Sequence, residues 1–262
     1  MTATDLNGRL APVSETLLIS LYARAKEASG NAPAISDSKA AEIMNRLDVG
    51  TKVFDGGEIT AHGILARTGI IDGEVMGALA ERPGLTVINL GAGLDTRLSR
   101  IDNGKLKWYD LDLPEVIMLR REFFSENERV RFIAKSVTDA SWIQEIGGVE
   151  AKNTVILAEG LLMYFSEAEV KCIFDLLSAH YTGAHMYFDV IHSYFTGKKI
   201  SSAFLWGLDK AQDIEKMNPC IRLRASWSTG DLYKNRQPLF LRIMNFLPST
   251  RNRSQILHIQ FT

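Results

Sequence analysis

Cysteine is scarce in this chain, and long apolar runs are absent. Cys172 and Cys220 are the only two cysteines among 262 residues. Two isolated cysteines exclude a disulfide framework and a Cys-x-x-Cys metal site. The sequence begins without the basic start and apolar core of a signal peptide, and no run of 18 apolar residues could cross a bilayer. We therefore expect no bound metal, no membrane partner and a cytoplasmic location.

A surplus of positive charge is also missing. Thirty Lys and Arg residues stand against 31 Asp and Glu residues, which gives a formal net charge of −1. A general nucleic-acid binder would carry a basic surplus for its phosphate contacts. The composition therefore argues against nucleic acid as a partner, and it leaves the oligomeric state open.

The stretch from Leu85 to Arg97 carries the strongest signal. Val87 to Leu90 is apolar without polar alternation, which predicts a strand that is buried on both faces. It leads directly into Gly91-Ala-Gly93, where missing side chains let the backbone turn sharply and approach a ligand. Open α/β sheets bind nucleotide-like ligands at such a turn.

A second predicted strand, Leu106 to Leu111, is followed by a carboxylate and contains another. Asp110 lies 19 residues beyond Gly91, and Asp112 lies 21 residues beyond it. An acid about 20 residues past the glycine turn is placed to accept hydrogen bonds from ribose hydroxyls. The pattern therefore predicts a ligand that contains an adenosine.

Two missing motifs narrow the choice of ligand. A dinucleotide fingerprint needs a third Gly or Ala where this chain has Thr96, and no phosphate-binding Gly-x4-Gly-Lys-Ser/Thr motif occurs. The first absence disfavours a nicotinamide oxidoreductase, and the second disfavours a P-loop nucleoside triphosphatase. The Gly-x-Gly-x-Asp pattern with a downstream acid suits S-adenosyl-L-methionine, which has no phosphate to bind.

Three motifs in order resemble those of the leucine carboxyl methyltransferase/tetracenomycin carboxyl methyltransferase family. They are Asn89-Leu-Gly-Ala-Gly-Leu-Asp-Thr-Arg97, Tyr109-Asp-Leu-Asp-Leu-Pro114 and Ala158-Glu-Gly-Leu-Leu-Met-Tyr164. The resemblance extends upstream through Thr16 to Arg24 and Ala66-Arg-Thr68, and it thins after about residue 200.

This resemblance implies a fold and a domain organisation. The fold is α/β, that of a class I, Rossmann-like methyltransferase with a mostly parallel seven-stranded sheet and an antiparallel hairpin at its carboxyl-terminal edge. We expect one methyltransferase domain over residues 1–262, in which residues 1–82 form a helical cover and residues 83–262 form the cofactor-binding core with insertions on the substrate side.

The resemblance also implies a set of cofactor-binding residues. Gly91 and Gly93 would leave room for the methionine portion, and Asp112 would be the ribose acid. A basic residue from each upstream segment, Arg24 and Arg67, would bind the cofactor carboxylate. The full set is Arg24, Arg67, Gly91, Gly93, Asp95, Asp110, Asp112, Ser136, Val137, Asp139 and Glu159.

Several roles within this set stay open. Asp95 could cap backbone N–H groups or accept from the cofactor ammonium. Asp110 could contact the cofactor or shape the loop. Ser136-Val137 stands where relatives often carry Asp-Leu beside the adenine, so the adenine contact could come from Ser136 or from Asp139.

The remaining periodicity predicts the other elements. Helices are expected at Glu15 to Ala28, at Ala40 to Leu47 with Ser36 or Asp37 as cap, after Pro114, and after the capping box Ser166-x-x-Glu169. Ile59 to Leu79 predicts two helices, broken near Gly69 to Asp72 with Asp72 capping the second. Further strands are expected at Arg131 to Ala134, Thr154 to Ala158 and His185 to Val190, a helix at Ser201 to Lys216, and a closing hairpin of Leu239 to Phe246 with Ile256 to Phe261.

The resemblance implies an S-adenosyl-L-methionine-dependent O-methyltransferase, and we expect a carboxylate of a small molecule or a peptide carboxyl terminus as the acceptor rather than a phenol or another hydroxyl. A carboxylate with a pKa of about 4 is already ionised at neutral pH and needs no general base, whereas a phenol with a pKa of about 10 would need one. Tyr164, His192 and Tyr194 follow strand ends and are candidates to line the pocket, with Tyr164 and His192 as the candidate catalytic residues. A cofactor-binding regulator without catalysis is the alternative from another class.

Overall fold

The computed structural model of the chain describes residues 15–47, 57–197, 203–237, 239–245 and 252–262. Within these residues one sheet of seven strands has the order β3-β2-β1-β4-β5-β7-β6. The strands are β1 (Thr86–Leu90), β2 (Lys107–Asp112), β3 (Val130–Ala134), β4 (Thr154–Ala158), β5 (His185–Ile191), β6 (Ile221–Ser228) and β7 (Ser254–Phe261). The first five strands are parallel, and β7 runs antiparallel between β5 and β6. The predicted α/β fold, with a mostly parallel sheet and an antiparallel edge, is confirmed.

Eight α-helices surround this sheet in the described part of the chain. They are α1 (Glu15–Ala28), α2 (Ser38–Leu47), α3 (Gly57–Glu81), α4 (Arg97–Ile101), α5 (Pro114–Arg120), α6 (Trp142–Ile146), α7 (Glu167–His180) and α8 (Leu239–Met244). None of the described helices is both long and apolar enough to cross a membrane.

The central strands β1 and β4 are covered by helices on both faces, and their side chains are mainly apolar. Every residue of β1 and of β4 is buried. Ile88 packs on the side of α7, whereas Val87 packs on the side of α3. The sequence therefore shows no polar alternation in these two strands, as expected for a sheet that is covered on both faces.

Helices α1 and α2 form a separate small core over the glycine turn. Leu21 of α1 and Ile43 of α2 are fully buried and pack with Leu94, which follows the turn, and with Leu119 of α5. This core holds the amino-terminal helices against the carboxyl edge of β1 and β2.

Three of the local signals for helix starts are confirmed. Asp37 Oδ1 accepts a hydrogen bond from the Ala40 N–H at 2.9 Å, so Asp37 caps α2. Pro114 opens α5, and Ser166 with Glu169 forms the capping box of α7.

The predicted break in the third helix is wrong, since α3 runs without interruption for 25 residues. Asp72 is no cap: its carboxylate accepts hydrogen bonds from Arg97 and Arg100. Gly69 is explained by packing, because a Cβ there would overlap the hydroxyl end of the Tyr233 side chain. Both residues therefore serve contacts to distant parts of the chain rather than a helix end.

Two predictions for the last quarter of the chain are also wrong. Residues 203–210 are not helical and only a 3₁₀ helix, Ala211–Lys216, follows, while residues 201 and 202 lie outside the described residues. Leu239–Met244 is a short helix, and Phe246 lies outside the described residues. The antiparallel partner of β7 is instead β6, whose alternation of apolar and polar residues gave a signal for an edge strand.

Candidate functional site

A cavity of about 330 Å³ opens at the carboxyl edge of β1, β2 and β4. Its walls combine the glycine turn, the end of β2, the segment after β4 and residues of α1 and α3. Of the sequence-predicted residues, it is lined by Arg24, Arg67, Gly91, Gly93, Asp95, Asp112, Glu159 and Tyr164. We call it the first cavity.

The two glycines of the turn leave space that no other residue could leave. Gly91 has a φ of +64°, and a Cβ there would lie 2.6 Å from a methyl carbon of Leu161. Gly93 has a φ of +48°, and its Cβ would lie 3.0 Å from Leu17. Both positions therefore need glycine for their left-handed backbone and for their close neighbours. Gly160 after β4 repeats the pattern, with a φ of +67° and Arg67 as the neighbour at 3.1 Å.

Asp112 lies at the end of β2 and faces the first cavity. Its Oδ2 accepts a hydrogen bond from the Gly93 N–H at 2.7 Å, and its Oδ1 accepts one from the Leu113 N–H at 2.7 Å. Burial raises the pKa of this carboxyl, although both N–H groups oppose the shift. Each oxygen retains a lone pair that can accept from a ligand hydroxyl.

Asp110 is placed differently, although it lies only two residues earlier. Its side chain is fully buried and does not line the first cavity. It accepts hydrogen bonds from Trp108 Nε1 at 2.7 Å, Asn89 Nδ2 at 3.0 Å and Arg120 Nε at 2.9 Å. Arg120 in turn donates to the backbone oxygen of Gly93 at 3.0 Å. The geometry thus favours the second of the two roles left open for Asp110, which is to shape the glycine turn.

Arg97 lies fully buried behind the first cavity. Its guanidinium donates to Asp72 Oδ1 at 2.6 Å and to Asp95 Oδ2 at 2.8 Å, and it also contacts Glu159. Burial would raise the pKa of the Asp95 carboxyl, but the charges of Arg97 and its neighbouring arginines hold it well below the usual range. The pKa of Glu159 is likewise raised by burial and lowered, with a net decrease, by Arg97 and Arg67. Both acids are therefore ionised at neutral pH.

Arg67 and Arg24 reach the first cavity from the amino-terminal helices, but both already have partners. Arg67 donates to Glu159 Oε1 at 2.9 Å, to Asp189 Oδ2 at 3.0 Å and to Ser20 Oγ at 2.9 Å. Arg24 donates to Asp37 Oδ2 at 3.1 Å and, more weakly, to the backbone oxygen of Leu94 at 3.3 Å.

These contacts join into one carboxylate–guanidinium network that links the amino-terminal helices to the sheet edge. Its members within the described residues are five acids and four arginines, namely Asp37, Asp72, Asp95, Glu159 and Asp189 with Arg24, Arg67, Arg97 and Arg100. The sequence reasoning missed the binding partners Asp72, Arg97, Arg100 and Asp189. Asp189 could have been found, because it is a lone acid inside the otherwise apolar run of β5.

A second cavity of about 350 Å³ adjoins the first. The two share Ser20, Arg67, Gly160 and Tyr164. Tyr164, one of the two candidate catalytic residues, therefore stands between them, with its ring tilted against Phe204 at a centroid distance of 5.4 Å.

His192, the other candidate, lines neither cavity. Its Nδ1 accepts a hydrogen bond from the Tyr194 N–H at 3.1 Å and lies 3.6 Å from the exposed carboxylate of Asp209. Tyr194 is also directed away, since 68% of its side chain is exposed. Phe195 lines the second cavity in its place.

The three residues proposed for the adenine contact also lie off the first cavity. Ser136 Oγ is hydrogen-bonded to Thr138 Oγ1 at 2.8 Å, and Asp139 accepts from Ser141. Val137 is buried in the core on the α7 side of the sheet. The structure does not bring these three residues together with the glycine turn and Asp112.

The strand order, the antiparallel β7 and the glycine turn beneath a cavity define a Rossmann-like methyltransferase fold. A sequence model of one protein family, leucine carboxyl methyltransferase, matches residues 18–178, which is more than half of the chain. The chain belongs to the leucine carboxyl methyltransferase family, as its three motifs suggested.

Two relatives and one solved structure illustrate this membership. The tetracenomycin polyketide synthesis O-methyltransferase TcmP of Streptomyces glaucescens is 30% identical over 232 residues, covering 85% of each chain. The S-adenosyl-L-methionine-dependent methyltransferase dpfgK of Gibberella zeae is 27% identical over 247 residues, covering 82% of each. A duf574 family protein of Streptomyces avermitilis shares the fold, with a TM-score of 0.58 over 93% of this chain and 97% of that one at 10% identity.

Proposed function

We propose that this chain transfers the methyl group of S-adenosyl-L-methionine to a carboxylate oxygen of a small molecule or of a peptide carboxyl terminus. As a member of its family the chain is an S-adenosyl-L-methionine-dependent methyltransferase. The choice of oxygen follows the relative TcmP, which is an O-methyltransferase by name. The observation that carries the proposal is the pair of adjoining cavities, one at the glycine turn and one that is mainly apolar.

The first cavity fits the cofactor. Gly91 and Gly93 leave room that a Cβ would fill, and Asp112 offers carboxylate oxygens to the ribose hydroxyls. Asp95 and Glu159 would face the ammonium group, and Arg24 with Arg67 the carboxylate. Five acids and four arginines give the network a formal charge of −1, which suits a ligand with a sulfonium, an ammonium and one carboxylate. A contact of Ser136, Val137 or Asp139 with the adenine stays a prediction.

Methyl transfer requires mainly that the protein align the acceptor with the methyl group of the cofactor. When bound, the cofactor supplies an electrophilic methyl group on a sulfonium. The chain contributes two cavities that meet at Arg67, Gly160 and Tyr164, so that an acceptor in the second cavity lies next to the occupant of the first. Orientation of this kind can supply roughly 7–11 kcal/mol of the barrier. The apolar walls of the second cavity would exclude water.

The lining of the two cavities favours a carboxylate acceptor over a phenol. No histidine of the described residues lines either cavity, and the carboxyl of Asp189 is already bonded to Arg67 and to the Gly160 N–H. A phenol would need a base to remove its proton, whereas a carboxylate needs none. The test of the proposed function is transfer of labelled methyl groups from the cofactor to a panel of carboxylic acids and phenols. A protein that binds the cofactor but methylates no acceptor would be the regulator.

The rate of the chemical step should be nearly flat between pH 6 and pH 9. A carboxylate acceptor with a pKa of about 4 stays ionised from about pH 5 upward, and no residue then has to accept a proton. The measurement is a single-turnover pH profile, because single turnover separates chemistry from product release. The wild type and His192→Ala should give the same profile. A steep rise between pH 6 and pH 8 that disappears in His192→Ala would overturn the carboxylate assignment.

Arg67→Lys should weaken binding of S-adenosyl-L-methionine about tenfold or more. A guanidinium can contact a carboxylate through two parallel hydrogen bonds, and an ammonium cannot reproduce that fork. The measurement is calorimetric titration of both proteins with the cofactor and with its decarboxylated form. Decarboxylated cofactor should bind wild type and variant with similar affinity. An equal loss for both ligands would show that Arg67 acts only through its bonds to Glu159, Asp189 and Ser20.

We also propose that the amino-terminal helices are part of one methyltransferase domain, with residues 1–82 as the cover and residues 83–262 as the core. The support is that Ser20, Arg24 and Arg67 line the first cavity together with the glycine turn. A cytoplasmic location remains a prediction from the sequence.

A further inference from the structure

The second cavity contains charged side chains that the transfer of a methyl group does not by itself require. Its walls are largely apolar and include Ile19, Ile64, Met163, Ile191, Phe195 and Phe204. Its charged lining residues are Arg67, Asp189 and Arg253. An acceptor for this cavity must therefore be mainly apolar, and it must also satisfy whichever charge the protein leaves unpaired.

Two of these three charges compensate each other. Arg67 donates to Asp189 at 3.0 Å and to Glu159 at 2.9 Å, so its positive charge is balanced within the network. The carboxyl of Asp189 also accepts from the Gly160 N–H at 2.6 Å. Both groups are therefore already paired within the protein.

The positive charge of Arg253 is not balanced by a carboxylate in this way. No hydrogen bond or ion pair joins its guanidinium to any other residue that the structure describes. Burial lowers its pKa, with no carboxylate to oppose the shift. A half-buried cation without a partner is unfavourable for the empty protein, and it becomes favourable when a ligand supplies the negative charge.

The nearby His62 offers no substitute for such a ligand. Its charge helps to lower the pKa of His62, so the two side chains are near each other, but burial is the main cause of that decrease and keeps His62 neutral. The His62 ring is bonded to the backbone oxygen of Thr229 and to Gln237. Neither of these partners carries a negative charge.

We propose that Arg253 binds an anionic group of the acceptor, so that the second cavity selects apolar organic acids over neutral molecules of the same shape. This inference rests on the proposed function, because it assigns the second cavity to the acceptor. It adds a residue for substrate recognition that lies beyond residue 178, where the match to the family ends.

The test compares two probes of equal shape, biphenyl-4-carboxylate and its neutral amide, biphenyl-4-carboxamide. Calorimetric titration of the full chain saturated with S-adenosylhomocysteine should show about tenfold or greater preference for the carboxylate in the wild type. Arg253→Gln should lose that preference by weakening the carboxylate alone. Arg253→Lys, which keeps the charge, should retain part of it.

Arg224 provides the matched control. It lies on the neighbouring strand β6, donates to Gln260 at 2.6 Å and does not line the second cavity. Arg224→Gln removes the same charge and should leave both affinities unchanged. The proposal is overturned if the wild type shows no preference for the carboxylate, if Arg253→Gln weakens both probes equally, or if Arg224→Gln has the same effect as Arg253→Gln. The transfer of labelled methyl groups to the panel of acceptors reports on the proposed function separately, because turnover there does not depend on a difference between Arg253→Gln and the wild type.

Discussion

Arg97→Ala should lower the free energy of unfolding by about 3–5 kcal/mol at neutral pH, which is the usual result of removing one partner from a buried ionic network. The Arg97 side chain has no exposed surface and contacts Asp72, Asp95 and Glu159 at once. Its removal leaves three carboxylates short of a cation, and two of them are held below their usual pKa partly by Arg97. Urea unfolding of wild type and variant measures the difference.

The loss of stability in Arg97→Ala should also depend on pH, and it should become smaller as the pH falls. In the wild type the lowered pKa values of Asp95 and Glu159 give stability that is present above about pH 4 and is lost as the pH falls through the folded-state pKa values. In the variant burial acts with less opposition and raises both pKa values, so the folded variant gains protons as the pH falls. The gap between the two proteins should therefore narrow from pH 8 to pH 5. A gap that widens toward pH 5 would contradict this account of the network.

Arg121→Ala is the control for the loss of an arginine as such. Arg121 is half exposed and pairs with Glu126, which is also exposed, at 3.2 Å. Exposed pairs of this kind contribute roughly 0–1 kcal/mol, so this variant should unfold almost like the wild type at every pH. Arg97→Lys, which keeps one charge in the network, should fall between the two alanine variants.

What the sequence predicted correctly are features whose causes are local. The glycine turn, the Asp37 cap and the Ser166–Glu169 capping box depend on backbone conformations within a few residues. The apolar runs of β1 and β4 are equally local, because a strand that is covered on both faces lacks the alternation of apolar and polar residues. These signals place the strand ends, and with them one edge of the first cavity.

What the sequence could not predict depends on partners far away in the chain. Asp72 resembled a helix cap because its partners, Arg97 and Arg100, lie 25 and 28 residues further on. Gly69 resembled a helix break because the ring that requires it belongs to Tyr233. In both cases a tertiary contact explains a residue type that local reasoning assigned to a helix end.

The prediction for the carboxyl-terminal edge of the sheet failed for a related reason. Leu239 to Met244 is apolar enough for a strand, but the place beside β7 is taken by β6, whose register slips between Leu223 and Ala225. The alternation of apolar and polar residues in β6 continues through this bulge, so the local signal was present, but nothing local shows which of the two segments pairs with β7. The lining of the second cavity could not be predicted either, because Arg253 belongs to a segment that the family motifs do not cover.

Asp112→Ala should weaken binding of S-adenosyl-L-methionine about tenfold or more and leave the fold intact. Asp110→Ala should instead destabilise the fold and leave the affinity for the cofactor nearly unchanged. Hydrogen bonds between ribose hydroxyls and a carboxylate are charge-assisted and contribute roughly 1.5–3 kcal/mol each. Asp112 faces the first cavity, so its loss should appear in the affinity for the cofactor.

Asp110 is the partner of the buried Arg120 and does not face the first cavity. Its loss should lower the free energy of unfolding by about 3–5 kcal/mol, because a buried guanidinium is left without its acid. Calorimetric titration and urea unfolding of both variants give the four values that decide the assignment. An unchanged affinity in Asp112→Ala would remove Asp112 from the cofactor site. A large loss of affinity in a still-folded Asp110→Ala would instead show that the glycine turn, held by Arg120 through its bond to the Gly93 oxygen, contributes more to cofactor binding than the ribose acid does.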